Sequence, residues 1–268
     1  MNNKLIGVFD SGLGGLTAVR SINDIMPNEG IVYFGDTLRV PYGSRSESAI
    51  IKFVTDDVNF LRSFDVKLII AACGTASAVA LPVIADNFDI PIFGVLTSSV
   101  KRAVAASKNG HIGVLGTHAT TKSGAYEREI LKLRSDAKVI KAACPMFVPL
   151  VENGYIDGGK TDVVEIFARE YLDILIKEEV DTVILGCTHY PLIRNTISDI
   201  MGRDVCLIDA GEAASRDAYD YLRQTGQLCD RPQKSRYFVS DDEERFESVG
   251  SMILGRQIQN KIERVDLF

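Results

Sequence analysis

Short aliphatic runs alternate with amphipathic stretches along the whole chain, a rhythm that predicts βα units around mostly parallel sheets. Strands are expected at 4–9 (KLIGVF), 31–34 (IVYF), 67–72 (KLIIAA) and 90–95 (IPIFGV). A second set is expected at 111–115 (HIGVL), 138–142 (KVIKA), 181–185 (DTVIL) and 205–209 (VCLID). The two sets are offset by 107, 107, 114 and 115 residues, so a four-strand half is read as duplicated. Between strands, Ser44-Arg-Ser-Glu47 has capping-box spacing ahead of AIIKFVTDDVNFLRSF, whose apolar positions 50, 51, 54, 58 and 61 form one stripe. Asp162-Val-Val-Glu165 opens a second such helix, Pro191 suits a first helical position, and Gly202 suits a stop.

The pattern predicts an α/β fold of two pseudo-symmetric lobes, each a mostly parallel sheet flanked by helices, with a cleft between them. The first lobe is expected to take residues 1–96 and 210–268, the second residues 97–209. The join near 96–110 is read as short. The chain after 210 (GEAASRDAYDYLRQTG, RYFVS and a final helix) is expected to pack back on the first lobe.

Residues 68–78 (LIIAACGTASA) and 183–191 (VILGCTHYP) say the same thing twice. In each, an aliphatic run ends in small residues, a cysteine and a hydroxyl residue able to start a helix. Cys73 and Cys187 therefore share one structural address, the carboxyl end of a buried strand, where open α/β sheets bind ligands. The same address holds Asp10-Ser11-Gly12, Gly35-Asp36-Thr37, Thr117 to Thr121, and Thr188-His189. A helix N-terminus lowers a thiol pKa, and a carboxylate or imidazole beside it can relay a proton. Two equivalent thiols suit a reaction that is itself nearly symmetric, such as moving a proton from one face of a carbon to the other. Cys144, Cys206 and Cys229 are read as buried packing residues.

Composition narrows the field. The chain of 268 residues is 46% hydrophobic and 25% charged, which suits a soluble globular protein. A net charge of −6 leaves no basic footprint for nucleic acid. No apolar run reaches the roughly 18 to 20 residues of a membrane span, and MNNKLIGVFDSG carries no signal-peptide pattern. Five cysteines without CxxC spacing argue against a disulfide framework or zinc ribbon, and the expected compartment is the reducing cytoplasm. Gly12-Leu-Gly14-Gly15 imitates a dinucleotide fingerprint but has Thr17 at the third glycine position. His111 and His118 lack metal-ligand spacing, so no metal and no cofactor are expected.

Asp10-Ser-Gly-Leu-Gly-Gly-Leu-Thr17, Gly35-Asp-Thr-x-Arg-x-Pro-Tyr-Gly43, Pro145-Met-Phe-Val-Pro-Leu-Val-Glu152 and Gly186-Cys-Thr-His-Tyr-Pro191 resemble bacterial glutamate racemase, nearly end to end. The resemblance implies cofactor-independent interconversion of L- and D-glutamate that supplies peptidoglycan synthesis, by a protein that pairs into homodimers. It implies Cys73 and Cys187 as acid/base thiols, assisted by Asp10 and His189, with Glu152 a further acidic group. Ser11, Pro41, Tyr42, Gly43, Gly74, Thr75, Thr117, Thr120 and Thr188, with Asp10 and His189, would hold the substrate. One departure stands out: the family usually has asparagine after the first cysteine, where this chain has Gly74. Losing a hydrogen bond to a charged group costs about 1.5–3 kcal/mol. A racemase of another acidic amino acid such as aspartate, a non-catalytic amino-acid-binding protein, and a cysteine hydrolase are the alternatives.

Overall fold

In a computed structural model that describes residues 4–267, two parallel sheets lie side by side with their carboxyl ends facing a common cleft. The first half runs β1 (Leu5–Asp10), α1 (Leu16–Ile25), β2 (Ile31–Gly35), α2 (Glu47–Arg62), β3 (Val66–Ala71), α3 (Gly74–Val79), α4 (Leu81–Ile84), β4 (Ile92–Gly94) and α5 (Val95–Ala106). The second half runs β5 (His111–Gly116), α6 (His118–Lys122), α7 (Ala125–Leu133), β6 (Lys138–Ala143), α8 (Phe147–Glu152), α9 (Asp162–Lys177), β7 (Thr182–Leu185), α10 (Arg194–Met201) and β8 (Cys206–Asp209). Then come α11 (Ala210–Gln224), β9 (Arg236–Val239), α12 (Glu243–Leu254) and β10 (Ile262–Arg264).

The first sheet has the order β10-β9-β2-β1-β3-β4, the second β6-β5-β7-β8, and every pairing is parallel. Strip β9 and β10 from the first sheet and the two orders match, strand for strand. The duplication read from the sequence is therefore topological as well as periodic. Parallel strands covered by helices on both faces bury both sets of side chains. Ile6, Val8, Phe9, Leu68, Ile69 and Ile70 are accordingly all fully buried, and this explains the unbroken aliphatic runs. Such strands throw their polar residues to their ends, and the carboxyl ends of β1, β3, β5 and β7 all open on the cleft.

The stripe on α2 packs as expected, with Ile50, Val54, Val58 and Leu61 buried and Ile51 half-buried against the same cluster. The caps differ from the sequence reading. Tyr42–Ser44 forms its own helical turn and Arg45 is extended, so α2 can start only beyond them; Ser46 is its cap, accepting from the Ala49 N–H at 3.3 Å. Ser44 instead donates to the Pro41 carbonyl at 3.4 Å. In α9 the cap is Thr161, without a side-chain bond, and Asp162 is the first helical residue. Asp162 and Glu165 still place negative charge at the positive end of the helix dipole. Pro191 sits in a helical turn, Tyr190–Ile193, that leads into α10, and Gly202 ends α10 with φ 95°. The join between halves is the helix α5, packed against α11.

Candidate active site

The two cysteine turns meet. Cys73 ends the β3 segment as the cap of α3, and Cys187 follows β7, and both line one cavity of about 290 Å³ between the sheets. Asp10, Ser11, Pro41, Tyr42, Gly43, Gly74, Thr75, Thr117, Glu152, Thr188 and His189 line it too. Thr120 does not; it lies behind the wall, its Oγ1 3.3 Å from Thr75 and 3.1 Å from Thr117, which are themselves 3.1 Å apart. A larger groove of about 610 Å³ opens at the amino ends of β1 and β3, around Lys4, Arg62 and Asp65. It contains no thiol and lies on the wrong side of the sheet for ligand chemistry.

On the first-lobe wall, Asp10 is 1% exposed, and its Oδ2 accepts from the Gly12 N–H at 3.0 Å. Its Oδ1 is buried and makes no hydrogen bond of good geometry. Burial pushes this carboxyl up from its ordinary range, against the His189 charge and the Gly12 and Gly15 N–H groups, which hold it down. Cys73 Sγ lies 3.6 Å from Ser11 Oγ. Burial, followed by the nearby Asp10 charge, pushes the Cys73 thiol up to about 12, and the Ala76 N–H at the start of α3 and the Ser11 hydroxyl offset only part of this. The expected lowering by the helix N-terminus is thus present but outweighed by desolvation. Cys73 rests as a thiol.

On the second-lobe wall, Cys187 is half-buried, its Sγ 3.9 Å from His189 Nδ1. The helical turn that follows it starts only at Tyr190, so Cys187 is not itself a helix cap. His189 Nε2 lies 3.0 Å from Glu152 Oε1, and Glu152 Oε2 accepts from Arg245 Nη2 at 2.8 Å. Burial disfavours the imidazolium, but contact with the Cys187 sulfur and the Glu152 carboxylate wins and raises His189 to about 10. Burial likewise opposes the Glu152 charge, yet His189 and Arg245 together hold that carboxyl below its ordinary range. At neutral pH the ring is therefore cationic and donates from both nitrogens, toward the sulfur and toward Glu152. Arg245 comes from α12 and Glu152 from α8, so this ion pair spans the cleft. Thr17 Oγ1 on α1 lies 3.0 Å from the Thr188 carbonyl oxygen and 2.9 Å from that of Gly14, so its one proton is shared between a contact across the gap and one within its own turn.

The Pro41-Tyr42-Gly43 wall hangs on a buried polar cluster. Arg39 reaches Asp36, Asp56 and Asp57 at 2.5, 2.8 and 2.9 Å, and Ser240 donates to Asp36 Oδ1 at 3.0 Å. The Tyr42 hydroxyl stands 2.5 Å from Asp36 Oδ2 and 2.8 Å from Asp57 Oδ2. One phenol has one proton to give, so two such contacts require a proton on a carboxyl. Asp57 is fully buried, and burial, followed by the Asp36 charge, raises it well above the usual carboxylate range. Asp57 therefore donates to Tyr42, which donates to Asp36. The Tyr42 hydroxyl is committed to this chain and turned from the cavity, so any ligand contact from Tyr42 comes from its other atoms.

Val40, His118, Pro145, Val148 and Pro149 line the cavity without having been singled out from the sequence. Positions 145, 148, 149 and 152 follow the spacing of one helical face, a signal that Glu152 could have extended. Thr117 follows the end of β5 just as Ser11 follows β1, and His118 comes next as the first residue of α6. Among the remaining cysteines, Cys144 and Cys229 are buried, but Cys206 is exposed because it is the first residue of the edge strand β8. Among the described residues no group of three or more His, Cys, Asp or Glu is arranged to hold a metal ion, and no helix is long and apolar enough to cross a membrane.

The family model described as Asp/Glu/Hydantoin racemase matches residues 14–218. A glutamate racemase of Geobacter metallireducens is 41% identical over 259 residues, covering 95% of this chain and 94% of the relative. One of Chlorobaculum tepidum is 43% identical over 256 residues, covering 94% and 93%. The crystal structure of a Bacillus anthracis glutamate racemase isoform superposes with a TM-score of 0.93 at 37% identity, covering 100% of this chain and 99% of that one. That of the Francisella tularensis glutamate racemase in complex with D-glutamate gives 0.90 at 38% identity, with the same coverage. A fold, a two-thiol cleft and a sequence match that runs nearly end to end agree: the chain belongs to the Asp/Glu/Hydantoin racemase family.

Proposed function

We propose that this protein is a glutamate racemase that needs no cofactor and uses Cys73 and Cys187 as its two acid/base groups. The observation that carries the reading is that both thiols, from equivalent turns of the duplicated lobes, line one cavity sized for a small molecule. The lobes are taken as residues 1–96 with 210–268, and residues 97–209. Because Cys73 rests protonated, it is the donor in one direction, and the base of that half-reaction is Cys187, with the His189 imidazolium alongside. The Cys187 thiolate takes the α-proton, the electron pair stays on the α-carbon and spreads into its carboxylate, and Cys73 protonates the opposite face. The sulfurs have then exchanged roles, and the reverse direction starts from that state.

An α-proton is a very weak acid, so the developing carboxylate charge needs preorganised donors in a water-poor cleft. Candidates are N–H groups at the start of α3 and the hydroxyls of Ser11, Thr75, Thr117 and Thr188. Thr120 acts from behind, orienting Thr75 and Thr117. Asp10, which lines the cavity, suits the substrate ammonium, and Glu152 keeps His189 charged. Pro41, Tyr42, Gly43 and Gly74 shape the wall. In the cell the product would be D-glutamate for peptidoglycan, made in the cytoplasm by a homodimer that engages neither nucleic acid nor membrane.

The test is polarimetry on L-glutamate and on D-glutamate, each incubated separately with the protein and no added cofactor, with L-aspartate in parallel. Both glutamate solutions are expected to lose rotation toward zero, and aspartate to keep it. Saturable glutamate binding with no loss of rotation would show a binding protein instead, and loss confined to aspartate would reassign the substrate.

A further inference from the structure

The residues beside the two thiols touch each other across the cleft. Gly74 follows Cys73, and Gly186 precedes Cys187. A Cβ placed on Gly74 would stand 2.0 Å from the Gly186 carbonyl oxygen and 3.1 Å from its carbon. No real Cβ tolerates the first distance, and the obstacle is main chain, which cannot swing aside like a side-chain tip. Any residue but glycine at 74 therefore forces one cysteine turn to retreat by about 1 Å from the other.

Neither turn is free to retreat alone. The Gly186 N–H donates to the Leu115 carbonyl at 2.8 Å, and a Cβ on Gly186 would itself meet that carbonyl oxygen at 2.6 Å, so this turn is pressed onto β5. The Thr188 carbonyl is in contact with Thr17 Oγ1 of the first lobe at 3.0 Å. On the other side the Cys73 carbonyl accepts from Ser77 N–H at 2.9 Å, and Thr75 is bonded to Thr117 and Thr120 of the second lobe. The displacement must spread into the lobe–lobe contact that carries both sulfurs.

We infer that Gly74 is a positioning residue that sets the separation of the Cys73 and Cys187 sulfurs, by letting the two cysteine turns meet main chain to main chain. The inference rests on the two-thiol reading above. Space that a side chain at 74 would fill is occupied here by main chain from the opposite lobe.

The test compares the parental protein with Gly74→Ala and Gly74→Asn, with L-glutamate in deuterated water. A misplacement of about 1 Å near the chemistry can cost 10²-fold in rate, so kcat is expected to fall about 100-fold in both variants, with KM moving far less. The parental protein is expected to place solvent deuterium in D-glutamate ahead of recovered L-glutamate. In the variants the carbanion meets its donor late, the first thiol has time to exchange its abstracted proton for solvent deuterium, and that sulfur returns deuterium to the original face, so deuterium in recovered L-glutamate rises relative to product. Parental kcat and parental deuterium partition in a folded Gly74→Asn variant would overturn the inference. A parental protein that exchanges no α-hydrogen would sink the racemase reading instead. Should neither variant fold, the nuclear Overhauser effect between a Gly74 Hα and the Cys187 amide proton of the parental protein decides. The Gly74 Cβ position lies 3.9 Å from Cys187 N, so a cross-peak is expected, and its absence would overturn the contact.

Discussion

Replacing Tyr42 by phenylalanine removes one hydroxyl from between two buried carboxyls while leaving the ring in its apolar seat. Asp36 then loses a donor at 2.5 Å, and the Asp57 proton loses its acceptor at 2.8 Å. Losing a hydrogen bond to a charged group costs about 1.5–3 kcal/mol, and an orphaned neutral donor about 1–3, so a total of about 2.5–6 kcal/mol is expected. For a chain of this size each kcal/mol moves Tm by roughly 2 °C, which gives a fall of about 5–12 °C. Asp57→Asn is the companion. If Asp57 is protonated, an asparagine reproduces it: the carbonyl oxygen accepts from Arg39 and the amide donates to Tyr42, and Tm should stay within about 2 °C of the parental value. Were Asp57 ionised, the same change would delete a buried charge facing Arg39 and lower Tm as far as Tyr42→Phe does. Differential scanning calorimetry separates the outcomes. Equal large losses in both variants would refute the proton count. Because the cluster holds the Pro41-Tyr42-Gly43 wall, Tyr42→Phe should also raise KM for glutamate, whereas Asp57→Asn should not.

Two further outcomes follow from the second-lobe ion pair and from the thiols. The His189 pKa is raised above its ordinary 6.5 to about 10, so the stability it contributes is complete below pH 6.5 and disappears as pH climbs through about 10. Urea midpoints should therefore decline over that window, and Glu152→Gln, which removes the carboxylate partner, should flatten the decline; an unchanged slope would refute the pairing. Alkylation with iodoacetamide at pH 8, followed by peptide mass mapping, should label exposed Cys206 well before Cys73, whose thiol is buried and raised to about 12. Faster labelling of Cys73 would mean that its helix N-terminus outweighs burial after all.

What the sequence made legible was periodic or repeated. Unbroken aliphatic runs marked doubly covered strands, and two cysteines at matching positions in two similar segments marked one site, because a duplicated fold delivers equal addresses to one cleft. What it concealed depended on partners far along the chain. Nothing near Tyr42 says that its hydroxyl serves Asp57, a residue on α2, instead of a ligand. Arg245 lies on a helix distant in sequence from Glu152, and no local pattern joins them. The thiol pKa went astray for a related reason: the helix start is local and visible, whereas the burial that outweighs it comes from packing among residues as far apart in sequence as Phe9 and Phe238. Capping residues were misplaced by a residue or two: Ser44 and Ser46 both suit the cap of α2, and only the helical turn at Tyr42–Ser44 decides between them, while Asp162 suits a cap but is the first residue of α9 after Thr161. β10, three residues paired only with β9, is too short to announce itself.

Proton nuclear magnetic resonance of glutamate in deuterated water, with parental protein, Cys73→Ala and Cys187→Ala, tests the two-thiol account most directly. The parental protein should erase the α-hydrogen signal from either enantiomer without added cofactor, and each alanine variant should slow interconversion of the enantiomers by about 10²- to 10⁴-fold. If either single variant interconverts L- and D-glutamate at the parental rate, a pair of sulfurs acting on opposite faces of one carbon is the wrong mechanism.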